Sequence, residues 1–185
     1  MKKIFLVRHC AADGQHKDSP LTYEGLRQAQ LLSTFFKNQR IKFDKIISSP
    51  YLRAIESIKP YAEQVNARIE VNENLRERIL SEQPIDDWLG ILERSFSDLD
   101  FALPGGESGN DAINRANSVL DTIYADDALQ NVIIVSHGNL IALLLKQFDH
   151  SYGFEQWKKL RNPDVYVIHT DQKAKTVECL WNGNE

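Results

Sequence analysis

Lys3-Ile4-Phe5-Leu6-Val7-Arg8-His9-Cys10 opens as an uninterrupted apolar run and ends in a cation and an imidazole. A short run of β-branched, aliphatic and aromatic residues with no polar alternation reads as a strand covered on both faces. Strands of that kind build mostly parallel sheets, and such sheets bind ligands just outside the carboxyl ends of their strands. Arg8 and His9 stand at that end.

The same pattern recurs downstream. Ile46-Ile47-Ser48 and Val132-Ile133-Ile134-Val135 are further buried strands, and Ile69-Glu70-Val71 is a shorter one. Val165–His169 and Thr176–Trp181 close the chain as two more, paired through Asp171-Gln172-Lys173. Helices alternate with them. One starts at Thr22 with Glu24 in an acidic first turn and buries Leu26, Ala29, Leu32 and Phe36. A second is capped by Ser49-Pro50, carries Arg53 in its first turn, and is kinked or broken at Pro60. A short helix is expected over Pro84–Arg94, a longer one over Asp111–Tyr124 burying Ile113, Ala116, Leu120 and Ile123, and an apolar one over Leu140–Phe148. This alternation predicts an α/β fold, a three-layer α/β/α sandwich around a mostly parallel central sheet. The chain reads as a single domain over 1–185, with 79–106 as a lid-like excursion over the sheet edge.

Composition narrows the partners. A net charge of -4 gives no basic face for nucleic acid, and no apolar run is long enough to span a bilayer. Lys2-Lys3 before Ile4–Val7 imitates the start of a signal peptide, but Arg8 ends the apolar run too early for one. Two cysteines, Cys10 and Cys179, make no disulfide framework and show no zinc spacing. A cytoplasmic protein without metal or other cofactor is expected.

Three strands release polar side chains just past their last apolar residue: Arg8-His9 after Val7, Ser48-Ser49 and then Arg53 after Ile47, and Ser136-His137-Gly138 after Val135. Brought to one sheet edge, two arginines and two histidines meet the amino ends of helices, whose free amides favour anions. Guanidinium forks suit phosphate oxygens. The pattern is a phosphate site with an imidazole inside it. Taken singly, each residue has an ordinary role: a solvated strand end for Arg8-His9, a hydrogen-bonded interior imidazole for His137, a surface cation for Arg53. Other phosphate and ester chemistries fail on spacing. A cysteine phosphatase needs arginine where His16 follows Cys10, there is no Walker loop, and Gly106-Glu107-Ser108-Gly109-Asn110 lacks the last glycine and the strand of a nucleophile elbow.

The sequence resembles the histidine phosphatase superfamily, the phosphoglycerate mutase-like proteins. The resemblance is carried, in order, by Leu6-Val7-Arg8-His9, Asp18-Ser19-Pro20-Leu21-Thr22 with Gly25, Ser48-Ser49-Pro50 with Arg53-Ala54, Leu75-Arg76-Glu77, Pro104-Gly105-Gly106-Glu107-Ser108 and Ser136-His137-Gly138. It implies a metal-independent phosphomonoester hydrolase acting on a small molecule, with His9 as the nucleophile that becomes phosphohistidine. Arg8, Arg53, His137 and Gly138 would hold the phosphoryl group, joined by Gln15. Glu77 would protonate the leaving oxygen, which needs a carboxyl that keeps its proton beside the phosphate. Glu82 and Glu107 lie in the same region. Cys10 and Asn139 depart from the family, which usually has glycine or a small residue there; Cys10 would be strained if its backbone required positive φ. A cofactor-dependent phosphoglycerate mutase and a silent phospho-ligand binder are the alternatives. The acidic balance of 79–106 argues against a bisphosphate, and Trp88, Phe96 and Phe101 are candidates for apolar contact with a leaving group.

Overall fold

The computed structural model describes residues 2–170 and 175–181. Its strands are β1 (Lys2–Arg8), β2 (Lys45–Ser48), β3 (Ile69–Val71), β4 (Asn131–Ser136), β5 (Asp164–Thr170) and β6 (Lys175–Cys179). The helices are α1 (Tyr23–Asn38), α2 (Leu52–Gln64), α3 (Trp88–Ser97), α4 (Gly109–Ala125), α5 (Gly138–Lys146) and α6 (Phe154–Lys159). The strands form one sheet in the order β3-β2-β4-β1-β5-β6, parallel from β3 to β1 and antiparallel at β5 and β6.

Side chains alternate across the sheet, so each inner strand feeds two cores. Ile4, Leu6, Ile47, Val132 and Ile134 pack with the faces of α4 and α5. Phe5, Val7, Ile46, Ile133 and Val135 pack with α1 and α2 on the other side. That is the three-layer α/β arrangement expected from the uninterrupted apolar strands.

Register places the site. Arg8 pairs with Ser136 and Ser48 with Val135, so β1, β2 and β4 end level. The ladders extend one residue further, through His9 N to Ser136 O (3.1 Å) and Ser49 N to Val135 O (2.9 Å). His9, Ser49 and His137 therefore leave the sheet together.

Several local expectations need correction. Leu26 is 53% exposed; the buried face of α1 turns instead through Gly25, Ala29, Leu32, Ser33, Phe35 and Phe36. Gly25 sets that rotation, because a Cβ there would collide with the Ala11 carbonyl. Ser49-Pro50 does not cap α2: the helix starts at Leu52 with Tyr51 at the cap, and the Ser49 hydroxyl is used elsewhere. Nor does Pro60 break α2, which continues to Gln64. The helix expected over Pro84–Arg94 is displaced to Trp88–Ser97, where the Asp87 carboxylate caps Gly90 N. Helix α6 was not anticipated. The turn placed at Asp171-Gln172-Lys173 lies outside the described residues, though the strands it was to join do pair. Among the described residues no helix is long and apolar enough to cross a membrane.

Candidate active site

His9 follows β1 directly and is almost fully buried. Its Nδ1 lies 2.7 Å from the Cys10 carbonyl. A carbonyl only accepts, so Nδ1 carries the proton and Nε2 keeps a lone pair. Arg53, in the first turn of α2, donates its Nε–H to that Nε2 at 3.2 Å. Burial holds the His9 pKa down at about 3; the Cys10 contact opposes this and the Arg53 and Arg8 charges add to it. The ring is neutral at physiological pH. Asn162 donates to the His9 carbonyl at 2.7 Å and fixes the backbone from the far side.

Two cations converge on the imidazole. Arg53 is fully buried and donates one Nη to the Gln15 and His16 carbonyls at 3.2 and 2.8 Å. It thereby ties the loop after β1 to α2. Arg8 donates to the Leu160 carbonyl at 2.6 Å, while its buried Nε–H has no hydrogen-bond partner among the described residues. Gly138, the first residue of α5, makes room for it: a Cβ there would sit 2.9 Å from Arg8 Nε.

The His137 ring centroid lies 5.1 Å from that of His9. Its Nε2 is 2.7 Å from the Ser49 hydroxyl, which accepts from Tyr51 N at 3.2 Å. Ser49 is fully buried, so its own O–H needs an acceptor, and His137 Nε2 supplies one. That assigns the proton of a neutral His137 to Nδ1, which is buried and has no partner among the described residues. Burial, then the His9 and Arg53 charges, keep this imidazole well below its usual pKa. Two unpaired N–H donors, on Arg8 and His137, flank the imidazole of His9. Buried donors of that kind call for an acceptor.

Glu77 faces this group. Its oxygens accept from the backbone N–H of Asn139 (3.0 Å), Leu140 (3.0 Å) and Arg78 (2.9 Å), two of them at the amino end of α5. A carboxylate oxygen has two lone pairs; Oε1 uses both on Leu140 and Arg78 and Oε2 one on Asn139, so one site is left for a proton, on Oε2. Glu107 is engaged differently, by Nε and Nη2 along one edge of Arg115 (2.6 and 2.9 Å) and by Arg76 (3.3 Å). Burial would raise its pKa, but these contacts outweigh burial and lower it.

A cavity of about 340 Å³ is lined by the polar group of Arg8, His9, Gln15 and Glu77, by Gly138, and by the apolar Leu80, Trp88, Leu92 and Trp157. A second space of about 470 Å³ shares Gln15, Glu77, Arg78, Leu80 and Trp88 with it and adds Arg53 and Tyr51. Every sequence-derived site residue thus borders these spaces except His137, which is fully buried against the rings of His9 and Tyr51. Glu82 and Glu107 line neither. Of the three candidate aromatics only Trp88 reaches the cavity; Phe96 is core, and Phe101 lies under the Arg94 guanidinium. Ser49, Arg78, Trp157 and Asn162 were not anticipated. Ser49 belongs to the Ser48-Ser49-Pro50 motif, whose composition also suits a helix cap, and Phe154-x-x-Trp157 has the spacing of a helical pair.

Cys10 does not have positive φ, which among described non-glycine residues occurs only at Arg40 and Asn66. Its thiol is fully buried and pushed up to about 12, chiefly by that burial. Asn139 contributes its backbone N–H to Glu77. Among the described residues no group of three or more His, Cys, Asp or Glu side chains is arranged to hold a metal ion.

Residues 4–183 match the family described as histidine phosphatase superfamily (branch 1). The chain is 28% identical to a 2,3-bisphosphoglycerate-dependent phosphoglycerate mutase of Rhizobium etli, over 96% of this chain and 90% of that protein. It is 24% identical to a broad-specificity phosphatase of Saccharomyces cerevisiae, over 95% of this chain and 78% of that one. Among solved structures, mycobacterial glucosyl-3-phosphoglycerate phosphatase in complex with inorganic phosphate superposes with a TM-score of 0.77 at 22% identity, covering 99% of this chain and 98% of that one.

Proposed function

The chain belongs to the histidine phosphatase superfamily (branch 1), and from that premise we propose that it is a metal-independent phosphomonoester hydrolase working through phosphohistidine at His9. The observation that carries this reading is the pair of hydrogen bonds on the His9 ring. Nδ1–H is committed to Cys10, so the lone pair of Nε2 is left to face Arg53. An uncharged nitrogen nucleophile among cations is what attack on a phosphate dianion requires.

In the proposed reaction, the phosphoryl group binds between Arg8, Arg53, His137 and Gln15, with Gly138 leaving space for Arg8. The His9 Nε2–P bond forms as the P–O bond to the alcohol breaks, and Glu77 gives its proton to the departing oxygen. Water then attacks phosphorus and yields its proton to Glu77. The N–P bond breaks, the electron pair returns to Nε2, and inorganic phosphate leaves. The arginines and the Nδ1–H of His137 stabilise the equatorial charge throughout.

Hydrolysis is favoured over mutase chemistry by the walls of the cavity. The acidic residues Glu82, Asp86, Asp87, Glu93, Asp98 and Asp100 do not line it, so charge repulsion by the 79–106 excursion is not the reason. Besides the phosphate-binding group the walls are Leu80, Trp88, Leu92, Asn139 and Trp157, and among the described residues the one further cation is Arg78. Arg78 already donates to the Glu107 carbonyl (3.1 Å) and the Ser95 hydroxyl (2.9 Å). A bisphosphate needs more free positive charge than that. The excursion supplies Leu80, Trp88 and Leu92 to the cavity, which fits a lid role. The reading takes the enzyme to be cytoplasmic, supported by two unpaired cysteines.

The direct test is phosphate release from p-nitrophenyl phosphate in excess EDTA by the wild type and by His9→Ala. Release that persists in EDTA and is abolished in the variant is expected. Equal release by His9→Ala would overturn the mechanism.

A further inference from the structure

Trp88, the first residue of α3, and Trp157, on α6, meet with ring centroids 5.8 Å apart and planes at 85°. Both line the cavity that begins at His9. Phe154 stacks on Trp157 at 5.7 Å with planes 17° apart, and so backs one indole from behind. Leu80 and Leu92 complete that end of the space. Leu92 is core, whereas Trp88 is 46% exposed and Leu89 beside it 49%. A chain does not gain stability by leaving an indole half in water when its neighbours are apolar; such surface is characteristic of a binding site.

Two aromatic planes at a right angle form a corner. A planar ring set into it stacks on one indole and meets the other edge-on, the two arrangements that aromatic quadrupoles favour. A flexible aliphatic chain would cover less of either face. We propose that this corner is the leaving-group subsite and that the substrates are phosphomonoesters of alcohols bearing a planar, apolar ring. The proposal rests on the phosphohydrolase reading, since the phosphoryl group fixes which end of the cavity the ring enters.

The test separates the two. Benzylphosphonate and propylphosphonate cannot be hydrolysed, and their dissociation constants follow from the change in tryptophan fluorescence or from calorimetry. Benzylphosphonate should bind about 10-fold or more tightly than propylphosphonate. In Trp88→Ala, whose side chain is half in solvent, and independently in Trp157→Leu, that ratio should fall several-fold toward unity. Benzyl phosphate and propyl phosphate, whose alcohols are similar as leaving groups, should show the same ordering in kcat/KM. A ratio within about twofold of unity in the wild type, a ratio unchanged in both variants, or binding of neither phosphonate overturns the subsite. A clear binding preference with no phosphate released from either ester would overturn the hydrolase reading and leave the subsite standing.

Discussion

The Ser49 hydroxyl lies 2.7 Å from Nε2 of His137 and is held there by the amide of Tyr51. A neutral imidazole can donate from one nitrogen only, so this contact decides which nitrogen. Ser49→Ala frees the tautomer and should lower kcat/KM for p-nitrophenyl phosphate by about 10-fold, with Ser49→Thr restoring most of it. Nitrogen-15 shifts of the His137 ring should report a mixed tautomer in the alanine variant. Unchanged shifts would remove Ser49 from the mechanism.

Both buried imidazoles make stability depend on pH. In the unfolded chain a histidine takes its proton near pH 6.5, whereas His9 in the folded state does so at about 3 and His137 well below its usual value. Between those limits the unfolded state binds more protons, so folding stability is complete above about 6.5 and falls as the pH drops. The slope should approach about 1.4 kcal/mol per pH unit for each histidine. Urea unfolding of the wild type and of His137→Gln between pH 7 and 4 checks this. A variant as pH-sensitive as the wild type would contradict it.

Gly138→Ala should separate stability from activity. Alanine is the better helix former by up to about 1 kcal/mol in a helix interior. The gain is less at the first position of α5 and offsets part of the cost of moving Arg8, so the melting temperature should change by only a few degrees. The new methyl, 2.9 Å from Arg8 Nε, displaces a guanidinium already tied to Leu160. A loss of about 10- to 100-fold in kcat/KM is expected, in line with misplacing one charge-stabilising donor. An active, more stable variant would show that Arg8 does not hold the phosphoryl group.

Glu77→Gln keeps the shape and removes the transferable proton. The kcat/KM of an alkyl phosphate, which reports formation of phosphohistidine and not its hydrolysis, should fall by about 10²- to 10⁴-fold, and that of p-nitrophenyl phosphate by much less, because nitrophenolate leaves without protonation. Equal losses on both substrates would assign Glu77 to holding α5 rather than to proton transfer.

Strands β1, β2 and β4 were legible because burial on both faces writes a continuous apolar run, and the residues after each run showed where the sheet edge lay. Helix α4 was equally plain from its apolar period, expected over Asp111–Tyr124 and found over Gly109–Ala125, although its reciprocal cap of Ser108 and Asp111 was not anticipated. What failed was local chemistry overridden by distant contacts. Leu26 fits the helical period, but the approach of Ala11 to Gly25 turns it outward. Ser49-Pro50 has the composition of a cap, yet the hydroxyl serves an imidazole 88 residues away. The phosphate end came from short motifs and could be read. Its outer half joins Leu80, Trp88, Leu92 and Trp157 from three elements, and no spacing in the chain announces that they meet.

Arg53 and His9 are joined through the one lone pair that the proposed chemistry needs. That pair is occupied by the Arg53 Nε–H, so on the proposed mechanism the nucleophile starts latched. An arriving phosphate would compete for the guanidinium and, in drawing it away, would expose the nitrogen proposed to attack it. A neutral ester entering the same cavity has nothing with which to release the latch. Discrimination between phosphate esters and carboxylic esters would thus begin at the nucleophile itself, before any fit of the leaving group is tested.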